Sequence, residues 1–508
     1  MIYLVCILGY LLLLAAIGVY KSRDVKDQDD FAVAGRSLSP WVMVCTMLAV
    51  WIGTGSIVGN AEQTYDTGMA ALILPIGTFI GMILLSLIAR KARNIKASSV
   101  PEIIGGRFGQ VARGLAVVSL IIAYMVIVSY QFNAGGAVLE VITGNRPPVT
   151  VQAGDELDRD QLARGRLLFT PEKGWTGKTL ITLGSVSGNS GAADELAFDL
   201  VVASSDQIVD ARQSLADEPN TAVAKRDSFA RLRFDRDRLT SRRYVVARLP
   251  EHGSVELVEP ILTAQTATLI AAVFIVAYTA LAGLMSLAYM DVVTGVIITL
   301  SMLIALPVYW FQAGGWSGMQ AAYAAMGDKP QHMQLWGVYS TTDLINYCLP
   351  VFLLVLGDAN QYQRIFASRN AKGAKAAVTM MIFVAYAVEL LIIACAWIAA
   401  SMTPDPENGK YILIYAARHY MALPLGCLFM VTVVAIIVST ADSFLLVPAT
   451  TFINDVYLSY VNPKASQKRS LFLSRLMVVM FGVIAYLVTL GFAETTGFFR
   501  KALYAFTI

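Results

Sequence analysis

Apolar residues in this chain come in long uninterrupted stretches rather than in alternation with polar ones. They lie near residues 2–20, 41–62, 69–90, 112–143, 262–284, 290–311, 343–366, 375–401, 422–447 and 471–491, and an eleventh opens at Phe498 and is cut off at Ile508. About 18 to 25 apolar residues are what a helix needs to cross roughly 30 Å of hydrocarbon. Lipid offers no partner to backbone N–H and C=O groups, so a spanning segment is a helix or a strand of a closed barrel. The short alternating segments of a barrel are not seen. The pattern predicts an all-α polytopic membrane protein with its last helix truncated.

Residues 145–260 break the pattern. They hold about half of the acidic residues and no stretch able to span a bilayer. Strand-like runs follow one another at Val149–Val151, Arg166–Thr170, Thr179–Leu183, Leu196–Val202 and Tyr244–Ala247, separated by Gly, Pro, Asn and Asp. The expected organisation is a transmembrane core over 1–144 and 261–508, with an all-β sandwich insertion over 145–260. Arg231, Arg233, Asp235, Arg236, Asp237 and Arg238 alternate in sign and are read as a solvated or mobile segment rather than a partner patch.

Basic residues set the orientation. Lys21, Arg23, Lys26 and Arg36 follow the first stretch, Arg90, Lys91, Arg93 and Lys96 the third, and Arg364, Arg369, Lys372 and Lys375 with Lys464, Lys468, Arg469 and Arg475 mark two more loops on the same side. Cytoplasmic loops carry the excess of Lys and Arg. The N-terminus and the insertion are therefore expected outside a plasma membrane or bacterial inner membrane. The first stretch lacks a basic n-region and a small-residue cleavage site, and reads as a retained helix.

Composition narrows the function. With 56% hydrophobic and 15% charged residues and a mean hydropathy of +0.60, a soluble enzyme is excluded. The net charge of +3 gives no reason to expect a nucleic-acid partner. The five cysteines are scattered through apolar stretches and the three histidines stand apart, so neither a disulfide framework nor a metal centre is expected. A membrane enzyme would need a convergent nucleophile, metal or acid–base set, and none is visible.

Two places carry candidate chemistry. In Trp51-Ile52-Gly53-Thr54-Gly55-Ser56 two glycines each weaken a helix by about 1 kcal/mol. If the helix stops there, the carbonyls of Ala49 and Ile52 lose their partners and become ligands for a hard cation; small residues also serve simply to let helices approach. In Ile436-Ile437-Val438-Ser439-Thr440-Ala441-Asp442-Ser443 the hydroxyls of Ser439, Thr440 and Ser443 share one helical stripe with Ile436. Asp442 is a carboxylate in an apolar helix, costly by about 2.5 to 3.5 kcal/mol unless it faces a cavity or a cation. Together these segments supply five oxygens suited to a monovalent ion.

Phe31–Leu38, the Gly-broken second helix, Ala288-Tyr289-Met290-Asp291-Val292-Val293, Gln363-Arg364-Ile365-Phe366-Ala367-Ser368 and Ser439–Ser443 resemble the sodium:solute symporter family. The resemblance implies a leading helix followed by two inverted five-helix repeats of LeuT type, with sites at broken helices near the bilayer midplane. On that fold 1–144 holds the leading helix and core helices 1–3, and 261–508 holds core helices 4–9 and the start of 10. It also implies no catalytic residues or cofactor, with Na+ as the coupling ion. The family's sodium site falls on the carbonyls of Ala49, Ile52 and Ile436 and the hydroxyls of Ser439 and Thr440. A second cation site known from some members falls on Asp291, Ser439, Asp442 and Ser443, where Asp442 replaces a hydroxyl and suggests a different preference, Na+ or H+. The segment Gly165–Gly177 resembles the repeat of bacterial cadherin-like or immunoglobulin-like sandwiches.

Trp51–Tyr65 resembles the choline-transporting branch, whose tryptophan can face a quaternary ammonium. Thr78 stands where that branch has an aromatic residue. Sugar-transporting members carry a glutamate where this chain has Pro75, and the proline branch an aspartate where it has Trp51. Trp51, Ser56, Thr78 and Phe352 are the expected solute-binding walls, with ordinary helix packing as the competing reading. The leading expectation is a secondary active transporter that takes up a small organic solute with Na+ from within membrane lipid. The alternative is a transporter-fold sensor whose external domain detects a ligand or an envelope component.

Overall fold

The computed structural model describes residues 2–95, 97–163, 165–185, 195–204, 221–225, 230–232, 234, 239, 241–326, 329–403, 409 and 411–492. The eleventh apolar stretch and most of the sign-alternating charged run lie outside these residues. The chain divides into two compact units: residues 1–142, 263–325 and 330–508, and residues 143–262 with 326–329.

The first unit is helical. Its principal helices are α1 (Ile2–Ser22), α2 (Pro40–Trp51), α3 (Asn60–Thr67), α4 (Ile76–Asn94), α5 (Gln110–Thr143), α6 (Ala264–Gln312), α7 (Thr341–Gly357), α8 (Ala359–Ala367), α9 (Ala371–Met402), α10 (Leu423–Thr451) and α11 (Gln467–Phe492). Seven described spans are long and apolar enough to cross a membrane, or eight when the bent pair Pro40–Trp51 and Gly55–Ile73 counts as one. The stretches 262–284 and 290–311 are continuous in α6 except at Gly283, where φ is +65°. A side chain there would strike the Phe31 ring at 2.6 Å, so only glycine allows the turn.

Helix starts follow local chemistry. Ser39 caps α2 through the amide of Val42, with Pro40 opening the helix. Ser340 and Asp343 form a reciprocal capping box at the start of α7. α10 is buried along nearly its whole length, packing on α6, α1, α2 and α11. An apolar helix with no lipid-facing stripe is a central one, which puts the Ser439–Ser443 stripe inside the bundle.

The second unit is a sandwich of two sheets, ordered β1-β9-β3-β7 and β2-β8-β4-β5-β6. The strands are β1 (Val149–Thr150), β2 (Glu156–Asp158), β3 (Leu167–Pro171), β4 (Gly177–Ser185), β5 (Glu195–Ala203), β6 (Thr221–Lys225), β7 (Ala230–Leu232), β8 (Arg243–Arg248) and β9 (Gly253–Leu257). The pairs are antiparallel except β5 with β6. Leu167 and Phe169, Ile181 and Leu183, and Phe198, Leu200 and Val202 recur every second residue and meet in one core.

Candidate cation and solute site

The glycine-rich segment is where the second span breaks. α2 ends at Trp51, Ile52 is extended (φ −78°, ψ 92°), and the chain resumes as a π turn over Gly55–Gly59 at an angle of 54°. Thr54 donates from its hydroxyl to Gln131 on α5, tying the broken segment down. Gly53 faces α10: an added Cβ would stand 3.1 Å from Thr440 Cγ2 and 3.2 Å from its hydroxyl. The glycine therefore serves both the break and the close approach.

Across that approach the five expected sodium ligands come together. Ser439 Oγ lies 3.0 Å from the Ala49 carbonyl and 3.2 Å from that of Ile436. Thr440 Oγ1 lies 3.5 Å from the Ile52 carbonyl. Both hydroxyls are buried. Three carbonyls and two hydroxyls thus take part in these two contacts between α2 and α10, with no charged group among them, and hard oxygens are the donor type that Na+ takes.

The second expected set divides. Ser439 belongs to the first cluster, whereas Asp291 and Ser443 gather around the guanidinium of Arg364. Arg364 donates from Nε to Thr46 (3.0 Å), from Nη1 to the Asn360 carbonyl (3.2 Å) and from Nη2 to Ser443 Oγ (2.7 Å). Nη2 lies 3.6 Å from Asp291 Oδ2, which also accepts from Thr46. Asp442 accepts from Ser443 at 3.1 Å. A cation, that of Arg364, thus already stands beside Asp291. The sequence reading counted Arg364 with the basic loop residues; it is instead fully buried on α8. The short α8 begins at Asp358, whose carboxylate caps it through Asn360 and accepts from Tyr124 at 2.7 Å.

Of the expected solute-binding residues, Trp51 and Thr78 share one partner. Trp51 Nε1 donates to Glu389 Oε1 at 2.7 Å and Thr78 Oγ1 to the same oxygen at 3.3 Å. Glu389, on α9, is 5% exposed, and its Oε2 is buried without a hydrogen-bond partner. Ser56 sits buried in the π turn with its amide on the Gly53 carbonyl, and Phe352 is half-buried on α7; neither joins this network. Glu389 was missed from sequence, although a carboxylate inside the apolar stretch 375–401 is the signal that singled out Asp442.

A family model for the sodium:solute symporter family matches residues 31–151 and 255–508. A high-affinity choline transporter of Caenorhabditis elegans is 26% identical over 153 residues, covering 28% of this chain and 27% of that protein. One of Drosophila melanogaster is 30% identical over 83 residues, 16% of this chain and 14% of that protein. The matched part thus spans about a quarter or less of these relatives' length. Among solved structures, a substrate-bound, outward-open Na+-coupled sialic acid symporter aligns with a TM-score of 0.65 at 14% identity, over 99% of this chain and 83% of that one. A nucleobase-cation-symport-1 family transporter in a closed conformation aligns at 0.53 and 10% identity, over 94% and 76%. At these identities the likeness is one of fold.

Proposed function

The chain belongs to the sodium:solute symporter family, and from that starting point we propose that it couples Na+ entry to uptake of a small organic solute by alternating access. The observation that carries the reading is the cluster of the Ala49, Ile52 and Ile436 carbonyls with the Ser439 and Thr440 hydroxyls, at the break of α2 against unbroken α10. These oxygens bind the coupling ion. Trp51 and Thr78 line the solute side of the same break, and choline, transported by the relatives named above, is the first solute to test. The N-terminus and the insertion face outward, in keeping with the positions of the basic loops. No observation on the fold favours the sensor reading.

Function is tested by reconstituting the full chain in liposomes and measuring solute uptake with an inward Na+ gradient, an equal K+ gradient, and no gradient. The expected result is accumulation with the Na+ gradient alone, lost in Ser439→Ala/Thr440→Ala. Equal uptake with K+, or full uptake by the double variant, refutes the proposal.

A further inference from the structure

Among the buried acids of the helical unit, Glu389 and Asp455 each keep an oxygen without a hydrogen-bond partner, and of these two only Asp455 has a cation beside it. Asp291 has Arg364 at 3.6 Å and Asp455 has Arg113 at 2.6 Å. Asp358 accepts from Tyr124 and the Asn360 amide, and Asp442 from Ser443, which itself holds Arg364. Glu389 has two donors, Trp51 and Thr78, on a single oxygen. Its other oxygen is buried and unpartnered, and among the described residues no Lys, Arg or His forms an ion pair with it.

A carboxylate is not what a brace for Trp51 and Thr78 requires. Glutamine would offer both donors the same carbonyl acceptor without placing an uncompensated charge in the membrane, where a lone carboxylate is costly and marks a site. Such a carboxyl group is completed either by a proton or by a bound cation. One of its two donors is an aromatic residue, Trp51, whose ring is held by its own N–H; a turn before Glu389 on the same helix, Tyr386 meets Phe79 with the rings tilted at 49° and centroids 5.1 Å apart. Aromatic faces attract ammonium groups through their quadrupoles, and the carboxylate supplies the full counter-charge.

We infer that Glu389 is the counter-charge of the solute site and that the solute is a small organic cation of the ammonium class. This rests on the transport reading above and specifies its solute. Trp51 directly precedes Ile52, whose carbonyl belongs to the ion cluster, so solute and Na+ meet at the two sides of one helix break. Glu389 selects by charge, and Trp51 and Thr78 fix its orientation.

The test uses the purified full chain in NaCl and in KCl, with thermal stability read against choline, ethanolamine and 3,3-dimethylbutan-1-ol, the neutral carbon isostere of choline. Wild type is expected to be stabilised by at least one of the two cations and not by the neutral alcohol. Glu389→Gln keeps an acceptor for Trp51 and is expected to bind the cation about tenfold or more weakly, a difference of about 1.4 kcal/mol, while its Na+ response stays. Glu389→Asp, which keeps the charge, is expected to retain part of the affinity. An equal response to the neutral alcohol, wild-type affinity in Glu389→Gln, or no response to either cation overturns the inference. Absence of any Na+ effect on wild type strikes the transport reading instead, and the cation panel in KCl then still decides the role of Glu389.

Discussion

Ser439→Ala isolates the contribution of one ligand. The Ser439 hydroxyl has a single proton between two carbonyls at 3.0 and 3.2 Å. Without sodium its removal costs about 1 kcal/mol, the usual net worth of a hydrogen bond, because the two carbonyls are left to neighbouring groups. With sodium the loss is larger. A site filled at a hundred times its dissociation constant stabilises the folded state by about 2.7 kcal/mol, and a tenfold weaker site gives about 1.4 kcal/mol at the same concentration. The variant is thus expected to lose about 1 kcal/mol in potassium and roughly twice that in sodium at matched ionic strength, once the weakened site is added. The assay is the sodium-minus-potassium difference in unfolding free energy of the purified protein, titrated with NaCl. A variant that is weaker in both salts by the same amount keeps its full sodium increment, and that outcome refutes a ligand role for the hydroxyl.

Three further expectations follow from the packing. Gly53→Ala places a Cβ 3.1 Å from Thr440 Cγ2; a cost of about 1 to 3 kcal/mol is expected from overpacking, with a weaker sodium response because Thr440 is pushed from Ile52, and sodium titration of stability reads both. Arg364→Met leaves Asp291 buried beside no cation, for an expected loss of about 3 to 5 kcal/mol, and Arg364→Met/Asp291→Asn is expected to recover most of it because no lone charge remains; equilibrium unfolding compares the two. In the inserted unit, Phe198 is 1% exposed in the shared core, and Phe198→Ala is expected to cost about 3 to 5 kcal/mol. Limited proteolysis then shows earlier cleavage within 143–262, with the sodium response of the full chain unchanged.

The sequence carried whatever depends on neighbours in the chain. An apolar stretch of spanning length becomes a helix wherever it sits, so α1, α4, α5, α9, α10 and α11 lie where the hydrophobic pattern put them. The weakness at Gly53 and the single face of Ser439 and Thr440 are also local, set by glycine propensity and the helical period. Short strands were less visible. β2, β6 and β7 contain too few alternating residues to stand out, and β6 joins β5 in parallel, a pairing no hairpin turn announces. The roles of Arg364 and Glu389 are hidden from the sequence for one reason. The charge of Arg364 reads as a loop charge because nothing nearby in sequence says that its side chain is buried. The partners of Glu389 lie 338 and 311 residues away, and only the packing of α9 on α2 and α4 brings them together.

The proposed ion site is divided between two supports. Ala49 sits in the last turn of a helix that stops at Trp51 and Ile52 just past its end, while Ile436, Ser439 and Thr440 are set in a helix that runs on through them. Such a division makes the cluster a clasp with two halves. Contacts of 3.0 to 3.5 Å across the seam vanish if the halves part by even a bond length, so a captured ion resists their separation with the whole of its binding energy. By reciprocity, whatever holds the seam shut tightens the grip on the ion by the same factor. On the proposed function no separate lock would be needed to keep ion and seam in step: dissolving one would dissolve the other, and a solute closing the seam from the Trp51 side would be felt by the ion as affinity.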